Sequence, residues 1–421
     1  MIKTNIQLVE KIFEDVWNRE SVYTLMKIIS NKFTYRQTAI SQIELGPLAL
    51  LKTIELYKSF MPGLKMKITE IHQHDKLTVV EWVGMGLHEG TSCKIQPSYK
   101  SISLQGASVF EIEDGKFISC QSDWDGESLV TQIGISKAEL NSFPNENCVS
   151  LRSEGKNSGP PLVAIPSMSN KGWGQWYNFT RSIKADRTVV TADMIGVKRA
   201  LMGLDPHKDY SAKWESKSLK NALISSGFNF PIDLVSFSVG GVIALDFAVD
   251  NPELVRSLTL IEPEVGWVFG ENYLSQPKIG EFITAEDNLF LGDVFTETWF
   301  QAVRLFGVAP PDFKLEEDRY WSEVSVFAKA LKYRPYLYKN VGNVEKLKTL
   351  KVPTLIIKGT SSPIYFQLIA DRLSEILPSA KLIQMDGYHG PHLFGKLDLF
   401  IGHLTRFHSE LETTTASRKS A

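Results

Sequence analysis

The sequence lacks the features that mark secreted, membrane-bound or nucleic-acid-binding proteins. Its three cysteines, Cys93, Cys120 and Cys148, are odd in number and scattered, which argues against a disulfide framework or metal site and favours a reducing compartment. Positive and negative charges nearly cancel, 46 against 48, so neither nucleic acid nor a membrane surface is an expected partner. No run approaches ~20 uninterrupted apolar residues, and the first residues lack a signal-peptide core. We therefore expect a cytoplasmic protein without metal or cofactor.

The 421 residues are enough for two domains, and the first 137 have an α+β pattern. Apolar residues first recur at helical spacing, and after residue 64 their period changes to two. The alternating segments predict strands at residues 65–74, 77–88, 101–113 and 116–125. Helices followed by a run of antiparallel strands are typical of an α+β domain.

Several loose motifs in this region, taken in order, resemble the SnoaL-like polyketide cyclases of the nuclear-transport-factor-2-like superfamily. The segments that carry the resemblance are residues 60–64, 79–82, 86–90, 114–118 and 125–134. The resemblance implies a curved sheet and helices that form a conical pocket. It also implies, in members that cyclise polyketides, an acidic residue on the last strand for proton transfer.

That role falls on Asp125, with Asp123 beside it on the same strand face and His88 as a further pocket candidate. The alternative is that these side chains are solvated and that the domain only binds a ligand or forms a homodimer.

A segment of turn-forming residues, 138–148, follows and predicts a linker. Beyond it, apolar segments at 161–165, 188–193, 234–237, 258–262, 354–359 and 380–385 alternate with helical ones. This alternation predicts a parallel sheet covered on both faces, in a domain from residue 149 to residue 410. The polar residues 411–421 predict a disordered tail.

The most informative stretch is residues 232–241, where an apolar strand runs into Ser238 and then into Gly240 and Gly241. Strand, sharp turn and helix form the context in which a serine becomes an exposed nucleophile. Such a serine needs a base, a group that orients the base, and donors for the oxyanion.

From Pro161 to about Ser409 the sequence resembles the α/β-hydrolase superfamily. The segments that carry the resemblance are residues 165–173, 193–196, the turn at Ser238, 251–258, 352–354 and 386–389. The resemblance implies that Ser238 is the nucleophile and His389 the base. It also implies an oxyanion hole built from the backbone N–H groups of Val239 and Met168, although Pro166-Ser167 replaces the family's usual His-Gly in the first loop.

The sequence departs from the family at the acid of the triad. Ser362 occupies the position where the family usually carries an aspartate. In haloalkane-dehalogenase-like branches the acid follows the preceding strand, and Glu262 matches that position. Glu262 is therefore the predicted orienter of His389, with Glu264 and Asp386 as weaker candidates.

Residues 265–348 form a long helical insertion, predicted to cap the site. Its many large aromatic residues favour an apolar or aromatic small-molecule substrate. The leading hypothesis is an enzyme that acts on an ester, thioester or activated C–C bond of an apolar, polyketide-like or aromatic metabolite, which the SnoaL-like domain binds or cyclises. Two alternatives remain open: a lyase or cyclase that uses His389 as a base, and a non-catalytic ligand-binding or dimerising protein.

Overall fold

The computed structural model describes most of the chain, and the chain separates into two compact units. The described residues are 2–37, 42–45, 49–90, 98–134, 136, 149–155, 159–201, 203–270, 272–290, 296–338, 342, 344–393 and 396–419. The first unit comprises residues 1–147 and 319–326, and the second comprises 148–318 and 327–421. The predicted linker, 138–148, lies outside the described residues.

The first unit is built on one sheet flanked by helices. In chain order it contains α1 (Ile2–Lys11), a π-helical segment (Ile12–Asn18), α2 (Val22–Ile28), β1 (Ile29–Gln37), β2 (Gln42–Leu45), α3 (Ala49–Phe60), β3 (Lys65–His74), β4 (Leu77–Leu87), β5 (Ser101–Glu113), β6 (Lys116–Trp124) and α4 (Gly126–Ile133). The strand order is β2-β1-β6-β5-β4-β3, and only the pairing of β1 with β6 is parallel. The predicted α+β class is confirmed, and the four predicted strands are β3 to β6.

The second unit is an α/β domain. It contains β7 (Ser150–Glu154), β8 (Leu162–Ile165), α5 (Gly172–Ile183), β9 (Val189–Asp193), α6 (Ile195–Leu201), α7 (Ala212–Ser225), β10 (Ile232–Phe237), α8 (Gly240–Asp250), β11 (Val255–Ile261), α9 (Pro277–Phe290), α10 (Thr296–Leu305), α12 (Arg334–Leu337), α13 (Val344–Thr349), β12 (Thr354–Gly359), α14 (Ile364–Ile376), β13 (Ala380–Met385) and α15 (Leu397–Lys419). Helix α11 (Arg319–Val324) follows α10 in the chain but belongs to the first unit. In the described residues, 3₁₀ segments lie at Pro252–Leu254, Gly266–Phe269, Tyr273–Ser275 and Ser325–Tyr333, and the last of these begins in the first unit.

The sheet of this unit has the order β13-β12-β11-β10-β8-β9-β7, and all pairs except β7 with β9 are parallel. Its central strands are buried on both faces, as expected for apolar strands in a parallel sheet. Helices α5 and α15 supply Trp176, Phe179 and Phe400 to the core cluster against the sheet. The predicted α/β-hydrolase architecture is confirmed, with helices between β11 and β12 where the cap was expected.

The end of the chain departs from the predicted disorder. Helix α15 continues to Lys419, through most of residues 411–421. Within this segment Glu412 pairs with Arg256 of β11, and just before it Glu410 pairs with Lys381 of β13. Among the described residues, no helix combines the length and the hydropathy needed to cross a bilayer.

Candidate active site

The turn between β10 and α8 holds Ser238 in a left-handed conformation, with φ of 54°. Such a conformation is uncommon for a residue other than glycine and points to a functional constraint. Crowding around the turn explains its two glycines. A Cβ added to Gly240 would lie 2.4 Å from the carbonyl oxygen of Pro166, and one added to Gly241 would lie 2.4 Å from Cβ of Pro263. Backbone from two other loops therefore lies directly against the turn.

Three side chains predicted from the sequence lie in one hydrogen-bonded line. Nε2 of His389 is 3.0 Å from Oγ of Ser238, and Nδ1 of His389 is 3.0 Å from Oε2 of Glu262. All three are buried, with exposed fractions of 5, 2 and 0% for Ser238, His389 and Glu262. Because a carboxylate only accepts, Nδ1 of a neutral His389 carries the proton, and Nε2 is left as the acceptor that faces Ser238. The geometry is that of a nucleophile, its base and the orienter of the base.

Glu262 is fixed by donors from the last residue of β12 and from the loop that follows β13. Its Oε1 accepts from the backbone N–H of Gly359 at 2.7 Å, and its Oε2 accepts from that of Gly390 at 2.7 Å as well as from His389. Its own backbone has φ of 44°, a second left-handed residue beside Ser238 in the site. Three donors are thus directed at the two oxygens of this carboxyl group.

His389 is held by packing as well as by hydrogen bonds. Its ring stacks on Phe366 with centroids 3.7 Å apart and an interplanar angle of 19°, and Phe237 lies 4.9 Å away. Its backbone N–H donates to the carbonyl of Gly307 at 2.9 Å. These contacts fix the direction of the imidazole, so its two nitrogens face the serine and the carboxylate at once.

The two residues predicted for the oxyanion hole lie on the backbone around this turn. Val239 directly follows Ser238, and the loop of Met168 approaches the turn through Pro166. Among the described residues, we find no hydrogen bond donated by the backbone N–H of either Val239 or Met168. Their oxyanion role stays a prediction.

The other acid candidates lie away from the imidazole. Asp386 is exposed and contacts Thr360 and Lys396, whose hydrogen bonds hold its pKa below the usual value. Ser362, at the family's usual acid position, has a buried Oγ without a partner among the described residues. Of the acid candidates, Glu262 is the one that contacts His389.

Glu264 contacts the nucleophile rather than the base. Its Oε1 lies 2.7 Å from Oγ of Ser238, and its Oε2 accepts from the hydroxyl of Tyr338 at 2.6 Å and from Arg334. Arg334 also pairs with Glu286 at 2.5 Å. Sequence reasoning ranked Glu264 only as a weak triad acid and missed Arg334, which lies 70 residues away and belongs to no motif.

This cluster is buried, and its ionisation is shifted accordingly. Burial raises the pKa of Glu286 to about 7, with the positive charge of Arg334 opposing the rise and the negative charge of Glu264 adding to it. Burial also raises the pKa of Tyr338 well above its usual value, and the charge of Glu264 adds to that shift. Tyr338 is therefore a hydrogen-bond donor at physiological pH.

Large aromatic rings pack together beside His389. Phe366, which stacks on His389, packs edge-on against Phe282 and Tyr365, and Phe282 stacks on Tyr365 with centroids 4.1 Å apart. Phe306 lies beside Phe282 and under the guanidinium of Arg334. Sequence reasoning predicted an aromatic-rich cap, but these four rings were not among the residues it singled out.

In the first unit, the predicted pocket residues do not line the cavity. Asp123 and Asp125 are exposed, and Asp125 caps α4 by accepting from the backbone N–H of Ser128. The opposite face of β6, which carries Ser122 and Trp124, lines the cavity instead. The expectation for both aspartates is corrected: the strand period was right, but the inward face was assigned to the wrong set of side chains.

His88 is not among the residues that line this cavity, and its side chain is buried. Its Nδ1 contacts Oγ of Ser98 at 2.9 Å, and its ring lies edge-on to Phe60. Burial lowers its pKa. The structure therefore places His88 in the packed interior and not at the pocket mouth.

The cavity itself is small, with about 20 Å³ of room for a water-sized sphere, and its lining is largely aromatic. Its lining residues are Phe13, Trp17, Tyr35, Gln37, Tyr57, Leu64, Met66, Trp82, Leu104, Ser108, Ser122 and Trp124. Hydrogen bonds join Trp82 to Ser108 and Ser108 to Ser122, and burial raises the pKa of Tyr35. These described lining residues include no carboxylate or histidine, so the cavity offers no evident base.

Comparisons with known proteins agree with this two-part organisation. Residues 7–133 match the family model "SnoaL-like polyketide cyclase", and residues 160–396, more than half of the chain, match "alpha/beta hydrolase fold". "Lipase 1" of Psychrobacter immobilis is 24% identical over 264 residues, or 61% of this chain and 80% of that protein. "Lipase 3" of Moraxella sp. (strain TA144) is 23% identical over 54% of this chain and 71% of that protein. The solved esterase RhEst1 from Rhodococcus sp. ECU1013 is 18% identical with a TM-score of 0.49, covering 62% of this chain and 95% of that one.

Proposed function

The chain belongs to the alpha/beta hydrolase fold family, and on this premise we propose that it is a serine-dependent hydrolase of an apolar ester, thioester or activated C–C bond. The observation that carries the proposal is the line of hydrogen bonds from Glu262 through His389 to Ser238. The relatives named as lipases support ester chemistry as the class of reaction. In this proposal Ser238 is the nucleophile, His389 the general base and Glu262 its orienter.

The proposed reaction has two halves. In the first, Oγ of Ser238 bonds to the carbonyl carbon while its proton passes to Nε2 of His389, and the carbonyl π electrons move onto the oxygen. When the carbonyl re-forms, the bond to the leaving group breaks, and that group takes the proton from His389. In the second half, water attacks the acyl carbon, its proton passes through His389, and Ser238 is released in its protonated form.

Glu262 supports both halves without itself being protonated. It accepts from Nδ1–H of His389 throughout, and its negative charge stabilises the imidazolium that forms in each half. The backbone N–H groups of Val239 and Met168 are the proposed donors to the oxyanion. Cleavage of an activated C–C bond would follow the same path, with an enolate carbon as the leaving group.

The aromatic rings beside His389 support an apolar or aromatic substrate. Phe282, Phe306, Tyr365 and Phe366 form a continuous group of rings next to His389. The match to the SnoaL-like family model, together with the aromatic character of the cavity lining, supports a related proposal, that this domain binds a polyketide-like or aromatic metabolite. Binding is favoured over cyclisation there because the described cavity lining offers no carboxylate. A homodimer through this domain remains a separate proposal.

A second candidate reaction keeps His389 as a base but forms no acyl-enzyme. This reaction is favoured by the hydrogen bond that Ser238 donates to Glu264, because Glu264 then competes with His389 for the serine proton. In that case the site would catalyse a lyase or cyclase step in which Ser238 binds the substrate without attacking it.

The two candidates are separated by turnover of 4-nitrophenyl esters. Ser238→Ala is expected to abolish ester hydrolysis if an acyl-enzyme forms. The matched control is Ser236→Ala, which removes an equally buried hydroxyl two residues earlier whose nearest partner is the carbonyl of Thr259 at 3.4 Å. Full turnover by Ser238→Ala would refute the nucleophile, and equal loss in both variants would indicate a folding defect of the turn.

A further inference from the structure

The hydroxyl of Ser238 lies between two groups that can accept its proton. Nε2 of His389 is 3.0 Å from Oγ, and Oε1 of Glu264 is 2.7 Å from it. A serine hydroxyl has one proton to donate, and a carboxylate oxygen can only accept. With neutral His389 and ionised Glu264, the proton can therefore satisfy one of the two acceptors and not both.

Glu264 is built firmly into this position. It is 2% exposed, and its backbone N–H donates to the carbonyl of Ser238 at 3.2 Å. Tyr338 and Arg334 both donate to its Oε2. Oε1 is therefore left facing the nucleophile, and in the described residues Ser238 is its hydrogen-bond donor.

Attack by Ser238 changes this balance. As the serine proton passes to His389, Oε1 of Glu264 loses its donor while it remains buried beside the reacting atoms. A buried charged oxygen without a donor is costly. The reaction is favoured when another donor replaces the serine hydroxyl, and the substrate is the molecule that can bring one there.

We propose that Glu264 selects carbonyl substrates that carry an O–H or N–H donor on the first or second atom from the scissile carbon. The inference rests on the proposed function, because it takes Ser238 as the nucleophile. Once Oγ is bonded to that carbon, a donor so placed comes within hydrogen-bond reach of an oxygen that lies 2.7 Å from Oγ. Hydroxyacyl esters and thioesters are the substrates that fit best.

The charges around Glu264 argue against an anionic substrate. Arg334 is shared by Glu264 and Glu286, so its positive charge is already matched by two carboxyl groups. The group beside Ser238 is thus an acceptor held in place by donors, and its complement is a neutral or cationic donor.

The first test compares two esters that differ by one group. 4-Nitrophenyl 3-hydroxybutyrate carries the donor, and in 4-nitrophenyl 3-methylbutyrate a methyl group replaces the hydroxyl. The wild-type kcat/KM should favour the hydroxy ester by about tenfold or more, the size of one hydrogen bond to a charged group. In Glu264→Gln this preference should vanish or reverse, because Arg334 and Tyr338 attract the amide oxygen and turn the NH2 group toward Ser238.

Glu286→Gln is the matched control, since it removes the other carboxylate on Arg334 but not the contact with Ser238. It should keep the wild-type preference. A wild-type preference near one, or the same preference in wild type and Glu264→Gln, would overturn the proposal. Thermal unfolding of each variant shows whether it is folded.

The second test needs no turnover and uses an alkyl fluorophosphonate, which has no donor group. Ser238 of Glu264→Gln should be labelled about tenfold faster than that of the wild type, because its proton is free for His389. Equal or slower labelling of Ser238 in the variant would overturn the role of Glu264 and leave the nucleophile intact. No labelling of Ser238 in either protein would overturn the proposed function, and the present inference with it.

Discussion

Replacement of Glu262 by glutamine tests the unusual position of the triad acid. The carboxylate receives three donors, from Gly359, Gly390 and His389. An amide keeps one accepting oxygen and places an NH2 group where the other oxygen was. The arrangement with least conflict turns the NH2 group toward Gly359, so the oxygen still accepts from His389 but without the negative charge.

The expected effects follow from that arrangement. The NH2 group of the glutamine then faces the backbone N–H of Gly359, and neither of these buried donors has an acceptor. This conflict should lower the free energy of unfolding by about 1–3 kcal/mol. The imidazolium loses its carboxylate, and loss of a triad acid lowers the rate by up to ~10⁴. Since the amide oxygen still holds the ring in place, we expect a decrease in kcat of between ~10² and ~10⁴, or about 3–5 kcal/mol in activation free energy.

The assay is hydrolysis of 4-nitrophenyl butyrate, with chemical denaturation of the same preparations. A decrease in kcat of less than about tenfold, with a folded protein, would refute Glu262 as the orienter. Ser362→Asp added to Glu262→Gln is the companion variant, because it restores an acid at the position where the resemblance places one. It should recover at least part of the lost rate, whereas Ser362→Asn in the same background should not.

Three further predictions concern stability and the turn. Asp125→Ala removes the cap that accepts from Ser128, so it should cost about 1 kcal/mol in denaturation experiments and leave ester hydrolysis unchanged; a loss of hydrolysis in a folded variant would contradict its placement. The pKa of Glu286 is about 7 in the folded protein and about 4.5 in the unfolded chain, so between these pH values the folded state binds the extra proton. Wild-type stability should therefore fall by up to about 3 kcal/mol as pH rises through this window, and denaturation at both ends should show a smaller fall in Glu286→Gln. Gly240→Ala places a methyl group 2.4 Å from the carbonyl oxygen of Pro166, so it should abolish ester hydrolysis or folding, and wild-type kinetics would contradict the crowding of the turn.

The roles of Ser238, His389 and Glu262 were predicted from the resemblance to the α/β-hydrolase superfamily. The register of the parallel strands explains why Ser238 and Glu262 lie close together. Phe237 at the end of β10 pairs with Ile261 at the end of β11, so the residues that follow both strands emerge side by side. Ile261 in turn pairs with Ile357 in β12, which brings Gly359 to the carboxylate. The apolar runs therefore placed Ser238 and Glu262 at the ends of neighbouring strands, and the resemblance supplied the roles of these two residues and of His389.

The cap contacts could not be predicted in the same way. Arg334 and Tyr338 reach Glu264 across 70 and 74 residues, from helical segments whose direction depends on packing. A helical period shows that such a segment has an apolar face, but not which other element that face meets. The role of Glu264 depends on these partners, so the sequence could only rank it as one acid among several.

In the first unit the alternation along β6 was predicted correctly, but the wrong face of the strand was assigned to the interior. Cys120, Ser122 and Trp124 alternate with Asp123 and Asp125 along the end of β6 and the residue that follows it. The apolar members marked the inward face, but family analogy placed the acids there. Strands β1 and β2 were missed altogether, although Phe33 and Tyr35 in β1 alternate with polar residues and are buried.

The most direct test of the central claim is the site of covalent labelling by an alkyl fluorophosphonate, determined by peptide mass spectrometry on the full chain. The structure predicts one adduct, on Ser238, absent in Ser238→Ala and formed much more slowly in His389→Ala and Glu262→Gln. An adduct on another residue, or a labelling rate at Ser238 that does not depend on His389, would contradict the assignment of Ser238, His389 and Glu262 as one catalytic unit.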